Sequence, residues 1–157
     1  MPLSASAGTA ERVIQDWLDA EQVGNPVVAD IQRGDVEGAD VARWYVRMRG
    51  EEKLATTVWF TLRERTLHFE TYLMPAPEEN VAQCYEYLLR ASQRLYAMRF
   101  AIGSEDAVYL LGQIPVAAVS EEELDRILGA AYAHSEECFP TAMRIGFASR
   151  FRSGPPA

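Results

Sequence analysis

The chain has 157 residues, 48% hydrophobic and 24% charged, which is the composition of a folded globular protein and not of a disordered one. That length suits one domain with a core of its own. A net charge of −8 opposes nucleic-acid binding, which needs a basic field, and the apolar runs are too short to span a bilayer.

Residues 1–8 read as a flexible lead-in. The opening MPLSASAGTA has no basic stretch followed by an apolar one, so a cytoplasmic location is expected. Thr9 suits an N-cap, with Glu11 in the first turn, and Val13, Ile14, Trp17 and Leu18 fall on one helical stripe. Gly24-Asn25-Pro26 stops that helix. Residues 27–40 read as a loop, with a short extended piece at 27–31 as an option.

Three strands follow. In 43–49, Trp44, Val46 and Met48 face one way and Arg43, Tyr45, Arg47 and Arg49 the other. In 54–62, Thr56, Val58, Phe60 and Leu62 alternate with Ala55, Thr57, Trp59 and Thr61. In 66–74, Leu67, Phe69, Thr71 and Leu73 point inward, and His68, Glu70 and Tyr72 outward. Turns this short require an antiparallel meander with one apolar face.

Pro75-Ala76-Pro77-Glu78-Glu79 reads as the first turn of a second helix, buried along Val81, Cys84, Tyr85, Leu88, Leu89 and Leu95. Residues 97–102 and 107–113 read as a strand pair around Gly103-Ser104-Glu105-Asp106. Ser120 with Glu123 three residues later is a capping box, and Leu124, Ile127, Leu128, Ala131 and Ser135 mark the inner face of the last helix. Pro140 is expected to kink or interrupt it. The expected fold is a single α+β domain over residues 9–147. Its order is helix-strand-strand-strand-helix-strand-strand-helix, an antiparallel sheet with helices on one face, followed by a tail at 148–157.

No catalytic constellation stands on this framework. His134 and Cys138 lie four residues apart on one helix, but a metal site needs more ligands than these two offer. Cys84 and Cys138 fall in apolar helical patterns and read as reduced, packed thiols. His68 and Glu70 could form an acid–base pair, though two polar residues on the outer face of a strand are more simply a solvated surface. No phosphate-binding glycine loop occurs, and Glu121-Glu122-Glu123 is explained by the helix dipole. Lys53 is the only lysine among 15 basic residues, an arginine bias that points to a GC-rich bacterial genome. The expectation is therefore a protein that is not an enzyme and carries no metal and no cofactor.

The unusual surface is the outward side of the meander: Arg43, Tyr45, Arg47, Trp59, His68, Glu70 and Tyr72. Aromatic and arginine side chains are enriched at recognition hot spots. Three readings fit: an interface with a second copy or another protein, cover by the N-terminal arm or by 141–152, and simple exposure.

With these elements placed, the sequence resembles the YbjN family, whose fold is like that of type III secretion chaperones. The likeness spans about residues 9–147. It is carried by TTVWFTLRERTLHFETYLMP, PAPEEN entering YEYLLRASQRL, FAIGSEDAVYLLGQIP and SEEELDRILGAAYAHSEECFP. The version is similar to the actinobacterial branch. The resemblance implies an α+β domain that dimerises and holds a partner segment, without a cofactor. The expected function is thus a protein-binding or chaperone-like adaptor or regulator acting as a homodimer, with no nucleic-acid or membrane partner. The alternative is a small-ligand sensor with a pocket between sheet and helices, which Trp17, Phe60 and Phe69 would largely fill. Single-stranded RNA binding on the sheet ranks behind these, because the net charge opposes it.

Overall fold

A computed structural model describes residues 5–152. The chain runs α1 (Ala5–Gly24), β1 (Val28–Arg33), β2 (Ala42–Arg49), β3 (Ala55–Leu62), β4 (Thr66–Met74), α2 (Val81–Ser92), β5 (Met98–Ile102), β6 (Val108–Pro115), α3 (Glu121–Gly146) and α4 (Ala148–Arg152). The strands form one antiparallel sheet in the order β1-β2-β3-β4-β6-β5. This is the expected α+β domain, with one strand more than the sequence pattern gave. The added strand is β1, which lies on the sheet edge and carries a bulge between Val28 and Asp30 that breaks the alternation.

Period-2 alternation decides which face is buried. Trp44, Val46, Met48, Val58, Phe60, Leu62, Leu67, Phe69 and Leu110 all lie under the helices. Trp17 of α1 meets Phe60 edge-on at 5.8 Å, and Phe60 continues to Phe69 at 6.5 Å. Both core indoles find acceptors: Trp17 Nε1 donates to Asp125 Oδ1 (2.7 Å) and Trp44 Nε1 to Gln15 Oε1 (3.0 Å).

Several boundaries differ from the pattern. The first helix begins at Ala5 and not at the Thr9 cap, because Ala7 and Ala10 are buried and extend its packed stripe. Residues 5–8 are therefore helical rather than a loose lead-in. The segment 75–80 is not the first turn of α2. It crosses the end of α3, where the Glu78 and Glu79 N–H groups donate to the Gly146 carbonyl (2.9 and 2.8 Å) and Asn80 Nδ2 to that of Ile145 (3.1 Å). Those bonds satisfy carbonyls that a helix end leaves free. Residues 148–152, read as tail, form α4, and the Ser149 N–H donates to the Glu79 carboxylate. Residues 1–4 and 153–157 of the expected termini lie outside the described residues.

Pro140 sits inside α3 without interrupting it. Its cost, about 3 kcal/mol in a helix interior, is offset because Leu124, Leu128, Cys138 and Ala142 on both sides of it are buried in one core. Ser120 does cap the helix, accepting from the Glu123 N–H at 3.1 Å. Glu123 turns its own carboxylate to the Tyr96 hydroxyl (2.5 Å).

Gly112 marks a close approach in the middle of β6. A Cβ there would lie 2.2 Å from the Ala97 carbonyl oxygen and 2.7 Å from the Phe69 ring. Gly112→Ala is expected to destabilise through that overlap. Phe60→Ala, at a fully buried ring, is expected to cost about 3–5 kcal/mol. Urea denaturation checks both, with a lower midpoint expected for each variant.

Candidate functional site

The face of the sheet away from the helices stays open among the described residues. α1 and residues 141–147 bury their apolar stripes on the other face, and α4 bonds to the 75–80 segment. The cover that these segments were considered for is therefore not what they provide. One backbone approach is close: a Cβ on Gly34 would stand 3.3 Å from the Trp59 ring, so the strand-to-strand loop after β1 brushes that indole.

Register brings the aromatic and charged residues together. Tyr45 pairs with Trp59, Trp59 with Glu70, and Tyr72 with Tyr109. A hollow of about 400 Å³ is lined by Arg43, Lys53, Ala55, Thr57, Trp59, Glu70, Tyr72 and Tyr109. The Arg43 guanidinium lies 4.3 Å from the Trp59 ring centre, the geometry of a cation–π contact. Tyr45 packs beside the same indole at 4.9 Å, and Tyr72 meets Tyr109 edge-on at 5.7 Å. The Arg43 Nε is buried with no hydrogen-bond partner.

Of the residues singled out from the sequence, Arg43, Trp59, Glu70 and Tyr72 line this hollow and Tyr45 supports it. His68 opens instead into a smaller neighbouring hollow of about 150 Å³, with Trp59 and Glu70 as shared walls and Arg63, Arg99 and Gln113 around it. Arg47 is exposed and lines neither. Lys53, Tyr109 and Arg99 are the additions that sequence reading missed. Tyr109 becomes a neighbour of Tyr72 because β6 inserts beside β4, a placement that chain order does not reveal.

Lys53 is held by a device from the other layer. The Glu136 carboxylate on α3 accepts from the N–H groups of Glu51 (3.0 Å), Glu52 (2.7 Å) and Lys53 (3.4 Å), fixing the turn between β2 and β3. The Lys53 ammonium then donates to the Ala55 carbonyl (2.9 Å) and lies between the rings of Tyr72 and Phe139, at 5.6 and 5.8 Å. Burial pushes its pKa below the ordinary lysine range, with Glu136 opposing. Burial also raises the Tyr72 phenol, and Tyr109 and Glu105 add to it.

His68 is held below the ordinary histidine range, first by burial and then by Arg63, whose Nη1 is 3.4 Å from Nε2. Arg63 is itself paired with Asp40 (3.1 Å). His134 is likewise lowered, mainly by burial, and its Nε2 accepts from the Tyr96 N–H at 3.5 Å. Cys138 is buried with its thiol pushed up, as is Cys84, whose Sγ lies 3.6 Å from the Ala142 carbonyl. Among the described residues no group of three or more histidine, cysteine or acidic side chains is placed to hold a metal, and no helix is long and apolar enough to cross a membrane.

Residues 12–143 match the family model described as YbjN, "Putative bacterial sensory transduction regulator". The chain belongs to the YbjN family. It is 30% identical over 147 residues to an uncharacterized protein of Mycobacterium tuberculosis, a match that covers 94% of this chain and 77% of that one. An uncharacterized protein of Mycobacterium leprae is 31% identical over 107 residues, 68% of this chain and 58% of the relative. The crystal structure of an uncharacterized protein from Methanothermobacter thermautotrophicus superposes with a TM-score of 0.59 at 11% identity. That match covers 86% of this chain and 97% of the archaeal one, a likeness of fold.

Two outcomes follow for this YbjN protein. Both histidines should titrate below about 6.5 by NMR, the unperturbed value. Because the folded value is depressed, the unfolded chain binds the proton first as pH falls. Their contribution to stability is complete above about pH 6.5 and is lost as the pH drops through the folded values. Glu136→Ala should speed hydrogen exchange at the Glu51 and Glu52 amides relative to the β3 core.

Proposed function

We propose that this YbjN protein is a non-enzymatic adaptor or regulator that works as a cytoplasmic homodimer and holds a segment of another protein on its open sheet face. The observation that carries the reading is the hollow in which Arg43, Trp59 and Tyr72 meet on a rigid sheet. Aromatic and arginine side chains fixed by register supply binding energy at low ordering cost. Such a face takes a partner without moving the core behind it.

Self-association fits a different surface. Tyr85, Leu88, Leu89, Phe100 and Ile102 line an apolar groove of about 310 Å³ beside the sheet edge β5, with Leu89 66% and Ile102 55% exposed. Exposed apolar area next to an unpaired edge strand suits a second copy. Against catalysis stands the engagement of the reactive groups: both thiols are buried and His134 accepts a backbone N–H. Two buried free cysteines also fit a reducing compartment.

A second reading has its own observation. A groove of about 520 Å³ opens at the rim between sheet and helices, lined by Glu21, Met48, Asp125, Leu128 and Tyr132 among others. Burial and the adjacent Asp125 raise the Glu21 pKa there. A metabolite that raised the melting temperature through this groove would favour a small-ligand sensor.

Affinity capture from an actinobacterial lysate tests the main reading. The wild-type protein should retain a stoichiometric protein that Trp59→Ala loses, and Leu89→Glu should sediment as a monomer while still capturing it. An identical captured set with Trp59→Ala would contradict the assignment of the face.

A further inference from the structure

We propose that the hollow recognises an extended acidic segment of the partner, with one carboxylate at Arg43 and a second at Lys53. The inference rests on the open-face reading above and names the chemistry that face selects. It starts from a mismatch of charge. In a chain of net charge −8, the open face carries Arg43, Arg47, Lys53 and Arg99 against Asp30 and Glu70. Glu105 reaches Tyr72 and Asp40 is paired with Arg63 at its margins, but on the strands of this face cations outnumber acids, which favours an anionic partner.

Neither cation in the hollow has a carboxylate partner among the described residues, and the same holds for Arg47, Arg49 and Arg99 on that face. Arg33, Arg63, Arg90, Arg94, Arg126 and Arg150 each pair with an acid. Arg43 keeps a buried Nε unpartnered. The acid beside Lys53, Glu136, is engaged by three backbone N–H groups. Both cations are braced by rings, which holds them in place and lowers the entropy lost on binding.

Spacing follows from the strand. Arg43 stands over Trp59 and Lys53 is bonded to Ala55, four residues away on β3. At about 3.3 Å per residue that separation is roughly 13 Å. An extended partner segment would span it with acids about four residues apart and an apolar or aromatic residue between them, against Tyr72 and Tyr109. Arginine offers a forked pair of donors and lysine a point charge, so the Arg43 end is the more directional of the two.

The test is selection of a displayed random 12-residue peptide library on the purified full chain. Enriched peptides should carry two acids about four positions apart. Their affinity should fall at least tenfold with Arg43→Gln or Lys53→Gln, fall with rising salt, and rise with Glu70→Gln. Circular dichroism confirms that each exposed-face variant folds. Enrichment of peptides without acids that still lose affinity with Trp59→Ala would overturn the acidic subsite and keep the open-face reading. No enrichment, or enrichment indifferent to both Arg43→Gln and Trp59→Ala, would overturn both. A uridine-rich 12-nucleotide RNA is the control: salt-sensitive binding that Arg43→Gln abolishes would reassign the hollow to nucleic acid and overturn the proposal.

Discussion

Trp17 stands where the two layers of the molecule meet. Its ring lies edge-on against Phe60 at 5.8 Å, and its indole N–H donates to Asp125 of α3 at 2.7 Å. One side chain of α1 thereby touches the middle of the sheet and orients the longest helix. The Trp44 indole, donating to Gln15 of α1, repeats the tie one strand toward the edge. A ring this large, with its polar atom satisfied, commits α1 and α3 to the same side of the sheet. The opposite side is left with side chains that have no helix to pack on.

Everything proposed about function descends from that asymmetry. A sheet covered on one face must place polar or functional residues on the other, and here they are aromatic and cationic rather than merely polar. The two layers still communicate through Glu136, which reaches from α3 to fix the β2–β3 turn and with it Lys53. The hollow is therefore preorganised by the same packing that stabilises the core. Its neighbour around His68 is built differently, with Arg63 engaged by Asp40 and the imidazole pKa lowered by burial and by Arg63. In the Arg43 hollow, by comparison, neither Arg43 nor Lys53 has a carboxylate partner among the described residues.

Much of this was legible in the sequence where periodicity was strict. Trp44-Tyr45-Val46-Arg47 and Val58-Trp59-Phe60 assign their faces residue by residue, and the open-face set read from them does gather on one surface. Legibility failed where tertiary context overrode local pattern. β1 lost its alternation to a bulge, and α3 absorbed Pro140 because both of its halves pack on one core. Asn80, with φ of 48°, begins α2 later than the run of prolines and acids suggested, since those residues bond to the end of α3 instead. Lys53, the only lysine, carries no local sign of a site residue: it lies in a turn, and its environment comes from Glu136, Tyr72 and Phe139, far off in sequence. Tyr109 depended on strand order, which no local signal encodes.

The central claim, an uncovered and cationic sheet face, has a direct optical test because the three tryptophans divide cleanly. Trp17 and Trp44 are 3% and 1% exposed, whereas Trp59 lines the hollow beside Arg43. Collisional quenching of the purified protein by iodide and by caesium, with Trp59→Phe as reference, reads both accessibility and sign of field. The account predicts that the quenchable emission belongs to Trp59 and that iodide quenches it far better than caesium. Equal protection of all three indoles, or a preference for caesium, would contradict it.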